Sequence, residues 1–117
     1  MENRKKYVYI CSPLSGDIRS NMAKARRYCE FAFRQGVIPM APHIYFPQFM
    51  NDDVPSEREV CVEEGTKWLE VSDELWVFGE RISPGMSAEL GIAESRGMPI
   101  RYFKDTFMEW EGPGYFV

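Results

Sequence analysis

Short apolar runs alternate with longer segments of mixed character along this 117-residue chain, and that alternation predicts its elements. Residues 6–14, "KYVYICSPL", hold the β-rich core "YVYIC" and break at Ser12-Pro13, so they read as a buried strand entering a loop. After the turn-forming "SGDIRS", Met22, Ala25, Cys29, Ala32 and Phe33 recur at helical spacing from about Asn21 to Gln35, with Gly36 as a stop. "VIPMAP" predicts a second short strand, and "HIYFPQFMNDDVPSE" a long connection rich in aromatics and turn residues. Ser56 with Glu59 three positions on matches a capping box, predicting a helix from about Glu57 to Val71. "DELWVFGE" reads as a third strand, Pro84 to about Arg96 as a third helix closed by Gly97, and "MPIRYF" as a fourth strand. The tail "KDTFMEWEGPGYFV" has no clear period, but its aromatics predict that it docks.

Strands alternating with helices at this spacing predict an α/β fold: a Rossmann-like (flavodoxin-like) three-layer sandwich with a parallel sheet of four to five strands. Right-handed crossovers then put the loops that follow the strands along one edge, where such sheets bind ligands. "CSPLSG", "APHIYFPQF" and "GERISPG" are expected to converge there.

Composition narrows the class. A hydrophobic fraction of 44% with 15% aromatic residues fits one folded domain over residues 1–117. A net charge of −4 offers no basic field for a nucleic acid polymer. The apolar runs are too short to span a bilayer, and "MENRKK" leads straight into a strand without a signal-peptide pattern. Cys11, Cys29 and Cys61 sit in apolar patterns without metal spacing, and His43 is the single histidine. The expectation is a cytoplasmic protein with buried free thiols, no metal and no cofactor.

Three loops carry candidate chemistry. With Ser83 as N-cap and Pro84 at the first helical position, Gly85 and Met86 are expected to offer free amides to a phosphate or other anion. A merely well-capped helix has the same pattern. Glu89 lies four residues after Gly85 and three after Met86, on the same face, and helical side chains lean toward the N-terminus. It therefore overhangs any ligand held there, or else pairs in solvent with Arg96 or Arg81. The first loop supplies Ser12, Pro13, Ser15 and Gly16, then Asp17 and Arg19. Arg19 could neutralise an anion and the amides near Ser15 and Gly16 could cradle one, although an ordinary turn looks similar. One of Tyr7 and Tyr9, which alternate on the strand, projects into the crevice. His43 follows Pro42 beside Tyr45, Phe46 and Phe49, aromatics suited to stacking on a nucleobase, to a lid or to a dimer contact. Packing is favoured for Phe46 and Phe49.

These residues together resemble the nucleoside 2-deoxyribosyltransferase superfamily. The likeness runs over roughly residues 6–103 through "YVYICSPLSG", "NMAKARRYCEFAFRQG", "VIPMAPH" and above all "DELWVFGERISPGMSAELGIAESRGMPIRYF". At the start of the third predicted helix it is similar to the branch that hydrolyses deoxynucleoside 5′-monophosphates. The resemblance implies that Glu89 attacks the anomeric carbon of a 2-deoxyribosyl group, with Tyr9 beside it. It implies that Ser83 and Gly85 hold a phosphate, that Ser12 to Gly16 line the pocket, and that His43 stands at its edge. An ionised Glu89, helped by the helix dipole, is expected. Gly65 stands where the superfamily places an aspartate, leaving Asp17 or Glu64 as possible substitutes.

The implied function is cleavage or transfer of an N-glycosidic bond in a small nucleoside or nucleoside 5′-monophosphate. The alternatives are a nucleotide-binding module without turnover and a structural or interaction protein. The superfamily usually completes its pockets with residues of a neighbouring subunit, so a homo-oligomer is expected, with Trp110, Tyr115 and Phe116 as candidate contributors.

Overall fold

The computed structural model describes residues 4–113. Strand β1 (Tyr7–Cys11) is followed by helix α1 (Ile18–Arg34), β2 (Ile38–Met40), a short helix α2 (Pro42–Tyr45) and a 3-10 turn (Phe46–Gln48). Then come α3 (Pro55–Glu70), β3 (Glu74–Phe78), α4 (Pro84–Ser95), β4 (Ile100–Phe103) and β5 (Glu109–Trp110). The strands form one sheet in the order β2-β1-β3-β4-β5. β1 pairs in parallel with β2 and β3, and β3 with β4, while β5 adds an antiparallel edge. The expected α/β sandwich is present, with its fifth strand running the other way.

The alternation of side chains along a strand sorts the core into two layers. Tyr9, Cys11, Leu75 and Val77 face α3 and α4, packing on Leu69, Met86, Leu90 and Ala93. Val8, Ile10, Trp76 and Phe78 face α1, packing on Tyr28 and Ala32. Both faces being covered explains why β1 and β3 read as continuous apolar runs.

Two local expectations need correction. α1 begins at Ile18, three residues before Asn21, because the Asp17 side chain accepts from the Ser20 amide at 3.1 Å and caps it there. The Ser56–Glu59 capping box does not form: α3 starts at Pro55 with Val54 as an N-cap lacking any side-chain bond. Proline at the first helical position needs no amide partner, so the helix starts one residue ahead of the box. The long connection after β2 contains α2 and the 3-10 turn.

The tail docks as expected where it is described. Phe107 stacks on Phe31 with ring centroids 4.6 Å apart, and Trp110 meets Tyr102 edge-on. Tyr115 and Phe116 lie outside the described residues.

Candidate functional site

A cleft of about 400 Å³ opens at the carboxyl edge of the sheet. β1 and its loop line it with Tyr9, Ser12, Pro13, Leu14 and Ser15, and α2 with Pro42 and His43. α3 contributes Cys61, Val62, Gly65, Thr66 and Leu69, and the start of α4 contributes Ser83 to Met86, Ala88, Glu89 and Ile92. The three loops do converge, each delivered by a parallel strand ending at the same edge.

Tyr9 and Glu89 meet inside. The Tyr9 hydroxyl donates to Glu89 Oε2 at 2.7 Å, and Tyr9 is buried, whereas Tyr7 is exposed. The two tyrosines share one face of β1, and position along the strand decides between them: Tyr7 is its exposed first residue, whereas Tyr9 lies nearer the carboxyl end, in the cleft. Glu89 is half-buried and makes no ion pair with Arg81 or Arg96, which are both exposed. Burial pushes the Glu89 carboxyl above its ordinary range, while hydrogen bonds from Tyr9 and Cys11 pull it back. Loss of water around the carboxylate is the largest of these influences. Burial, with the Glu89 charge beside it, raises the Tyr9 phenol far above its usual value and keeps it a donor.

The amide notch at the start of α4 is narrower than expected. Ser83 is the N-cap, but its Oγ accepts from the Met86 amide at 3.2 Å, and the Ser87 amide bonds the Ser83 carbonyl. The Ser83 amide reaches Met86 Sδ at 3.5 Å, completing a reciprocal cap with sulfur in place of a carboxylate. The Met86 amide is therefore spoken for and its side chain is buried in the core. What remains for a ligand is the Gly85 amide and the Ser83 hydroxyl proton.

His43 Nε2 and Ser12 Oγ lie 2.9 Å apart. Burial lowers the His43 pKa to about 4, so the ring is neutral at neutral pH. Ser15 lines the rim, while Gly16 and Arg19 are exposed and absent from the lining. Among the described residues no lysine or arginine lines the cleft, and Glu89 is the one carboxylate that does. Neither substitute for an aspartate at position 65 reaches it: Asp17 caps α1, and Glu64 pairs with Lys67 at 3.2 Å. Gly65 itself is buried in the lining, and a Cβ there would stand 3.6 Å from Pro42 Cγ and 3.8 Å from the Tyr9 hydroxyl. Phe46 and Phe49 pack with Tyr45, and Tyr45 and Phe46 also meet Trp68, outside the cleft. Sequence reasoning missed Cys61 and Leu69 as lining; their spacing of four with Gly65 along α3 was the available signal. Among the described residues no cluster of His, Cys, Asp and Glu could hold a metal ion, and no helix is long and apolar enough to cross a membrane.

Solved structures with the same architecture include a 2-deoxyribosyltransferase from Bacillus psychrosaccharolyticus. It superposes with a TM-score of 0.65 at 16% identity, covering 95% of this chain and 76% of that one. A 2-deoxyribosyltransferase from Leishmania mexicana gives 0.58 at 16% identity over 85% of this chain. A conserved protein from Enterococcus faecalis V583 gives 0.57 at 19% over 86%. The chain spans 64% of the length of each of the latter two. At these identities the likeness establishes a shared fold. No curated protein matches the chain by sequence. A family model described as "Domain of unknown function (DUF7768)" matches residues 6–103, and the chain belongs to that family.

Proposed function

We propose that this protein cleaves or transfers the N-glycosidic bond of a small nucleoside or nucleoside 5′-monophosphate, with Glu89 as nucleophile. The observation that carries the reading is the 2.7 Å Tyr9–Glu89 bond inside a cleft that opens on the start of α4. A carboxylate held by a neutral donor is aimed into the cleft, which suits attack on an electron-poor anomeric carbon. A Glu89 oxygen bonds to C1′ as the C1′–N bond breaks and its electron pair leaves with the base, which takes a proton from water. Attack of water at C1′ then releases the sugar and restores Glu89; a second base in place of water completes a transfer. Ser83 and Gly85 would bind the 5′ end, and the apolar walls of α3 and α4 would cover the sugar and base. Solved 2-deoxyribosyltransferases of the same fold support this reading. So does the sequence likeness at the start of α4.

Self-association belongs to the reading. Tyr45, Phe49 and Val62 are exposed large apolar side chains, and Val62 also lines the cleft. Light scattering showing a monomer at working concentration would remove that part.

Gly65, at the position of the superfamily's aspartate, favours a second reading: a nucleotide-binding module that does not turn over. Incubation with deoxynucleosides and their 5′-monophosphates, with free base followed by chromatography, separates the two. Base release abolished in Glu89→Gln supports the enzyme. Thermal stabilisation by the same compounds without release supports the module.

A further inference from the structure

Glu89 is the one carboxylate among the described residues lining the cleft, and no lysine or arginine stands there to offset its charge. The walls around it are largely apolar, with Leu14, Pro42, Val62, Leu69 and Ile92. A partly buried carboxylate has lost some of its water, so a cation brought beside it gains more than it would in bulk solvent. The chain's net charge of −4 adds to that attraction. The proton donors of the lining are already engaged or too weak. The Tyr9 hydroxyl donates to Glu89 at 2.7 Å, and Thr66 donates to the Val62 carbonyl at 3.0 Å. Ser12 Oγ and His43 Nε2 bond one another at 2.9 Å, and the imidazole is neutral at neutral pH. Burial and the Asp52 charge hold the Cys61 proton more firmly than that of an ordinary thiol. Gly65, whose added Cβ would stand 3.8 Å from the Tyr9 hydroxyl, brings no side chain. The Ser15 and Ser83 hydroxyls remain, and an aliphatic hydroxyl is too weak an acid to protonate a departing base.

A neutral nucleoside needs such an acid, because its base departs as an anion unless it is protonated. A base that already carries positive charge in its ring does not. We propose that the cleft selects nucleosides whose base is an aromatic cation, a pyridinium or a ring-alkylated purine; the cleavage step rests on the reading of Glu89 as nucleophile. A Glu89 oxygen bonds to C1′ as the C1′–N bond breaks, and the electron pair of that bond stays on the ring, which leaves neutral. Carboxylate and cation cancel in one step, with no proton moved. Water then attacks C1′, the Glu89 oxygen departs as carboxylate, and a proton of the water goes to solvent. Each turnover therefore acidifies the solution by one proton, whereas hydrolysis of a neutral nucleoside releases none. An aromatic cation also fits the walls, since its delocalised charge sheds water more readily than a compact ammonium.

The test pairs deoxyguanosine with its N7-methyl derivative, in mildly acidic buffer where the methylated base is a cation, and follows free base and proton release. The methylated nucleoside is also the more labile in water, so each kcat/KM is divided by the spontaneous rate constant. That normalised value is expected to be at least about 100-fold higher for the cation, the usual worth of a missing acid, with a proton released for every base. Comparable values for the two overturn the proposal and leave the glycosidase reading standing. A second arm needs no turnover: calorimetry compares nicotinamide with its ring-nitrogen-methylated pyridinium cation. The cation is expected to bind at least about tenfold tighter, with the difference collapsing in Glu89→Gln. Equal binding in the parent overturns the proposal, and so does a preference that survives in Glu89→Gln. Should neither nucleoside release base, the glycosidase reading falls with its cleavage step, while the binding arm still decides whether the cleft selects a cationic ring.

Discussion

Tyr9 and Glu89 stand 80 residues apart in sequence and 2.7 Å apart in space, the phenol of a buried strand donating to a carboxylate on the second turn of α4. This contact joins the scaffold to the candidate chemistry. In Tyr9→Phe the ring still fills its place, but Glu89 loses a charge-assisted bond worth about 1.5–3 kcal/mol. Base release measured as kcat/KM is expected to fall about 10- to 100-fold, and the melting temperature to drop by several degrees.

Glu89→Gln keeps size and removes the charge. Base release is expected to fall at least about a thousandfold, as when a nucleophile is deleted. Stability should move the other way. Burial raises the Glu89 pKa above 4.5, so the folded state holds that proton more tightly than the unfolded chain. The stability this contributes is complete below about pH 4.5 and lost as pH rises through the folded value. At neutral pH the glutamine variant is therefore expected to melt higher than the parent, with the difference vanishing in acid. Calorimetry at pH 4 and pH 7.5 checks it.

Two pH signatures follow for the parent protein. If ionised Glu89 is the nucleophile, the acid limb of kcat/KM lies above pH 4.5, since burial displaces it upward. His43 titrates near 4 when folded against 6.5 when free, so the unfolded chain binds the extra proton between those values. Stability should fall as pH drops from about 6.5 toward 4. His43→Asn is expected to flatten that slope in pH-dependent urea melts.

Gly65 tests the lining. Its nearest neighbours would stand at 3.6–3.9 Å from an added Cβ, which is ordinary contact. Gly65→Ala is therefore expected to fold and to gain up to about 1 kcal/mol from helix propensity. Gly65→Leu projects further into the cleft and should abolish nucleoside-induced thermal stabilisation while leaving the far-UV spectrum intact. Loss of folding already in the alanine variant would contradict the geometry.

Ser83 caps α4 through the Met86 amide at 3.2 Å. Ser83→Ala is expected to cost about 1 kcal/mol of stability by denaturant melt. With no cationic side chain in the lining among the described residues, a deoxynucleoside 5′-monophosphate should bind at most about tenfold tighter than its nucleoside. Competition titration of the pair reads this directly; a much larger preference would require cations from beyond these residues.

Periodicity and punctuation in the sequence determined the α/β alternation, the four parallel strands and the start of α4 at Ser83-Pro84. Those features rest on local chemistry: β-branched and aromatic runs, a hydroxyl cap and prolines at helix starts. Sequence also singled out Glu89, because helical spacing and the lean of side chains tip it toward the helix start, but spacing alone left a solvent pairing with Arg81 or Arg96 open. Only the tertiary structure decided the rest. It chose Tyr9 over Tyr7, because the two share a strand face and only the residue nearer the carboxyl end of β1 reaches the cleft. It left Gly16 and Arg19 outside the lining, because Asp17 draws α1 forward to Ile18. It turned the Met86 amide inward to Ser83, and it brought Cys11 to the first turns of α4. Contacts between residues dozens of positions apart are set by how the two layers pack on the sheet, and no short stretch of chain encodes that distance.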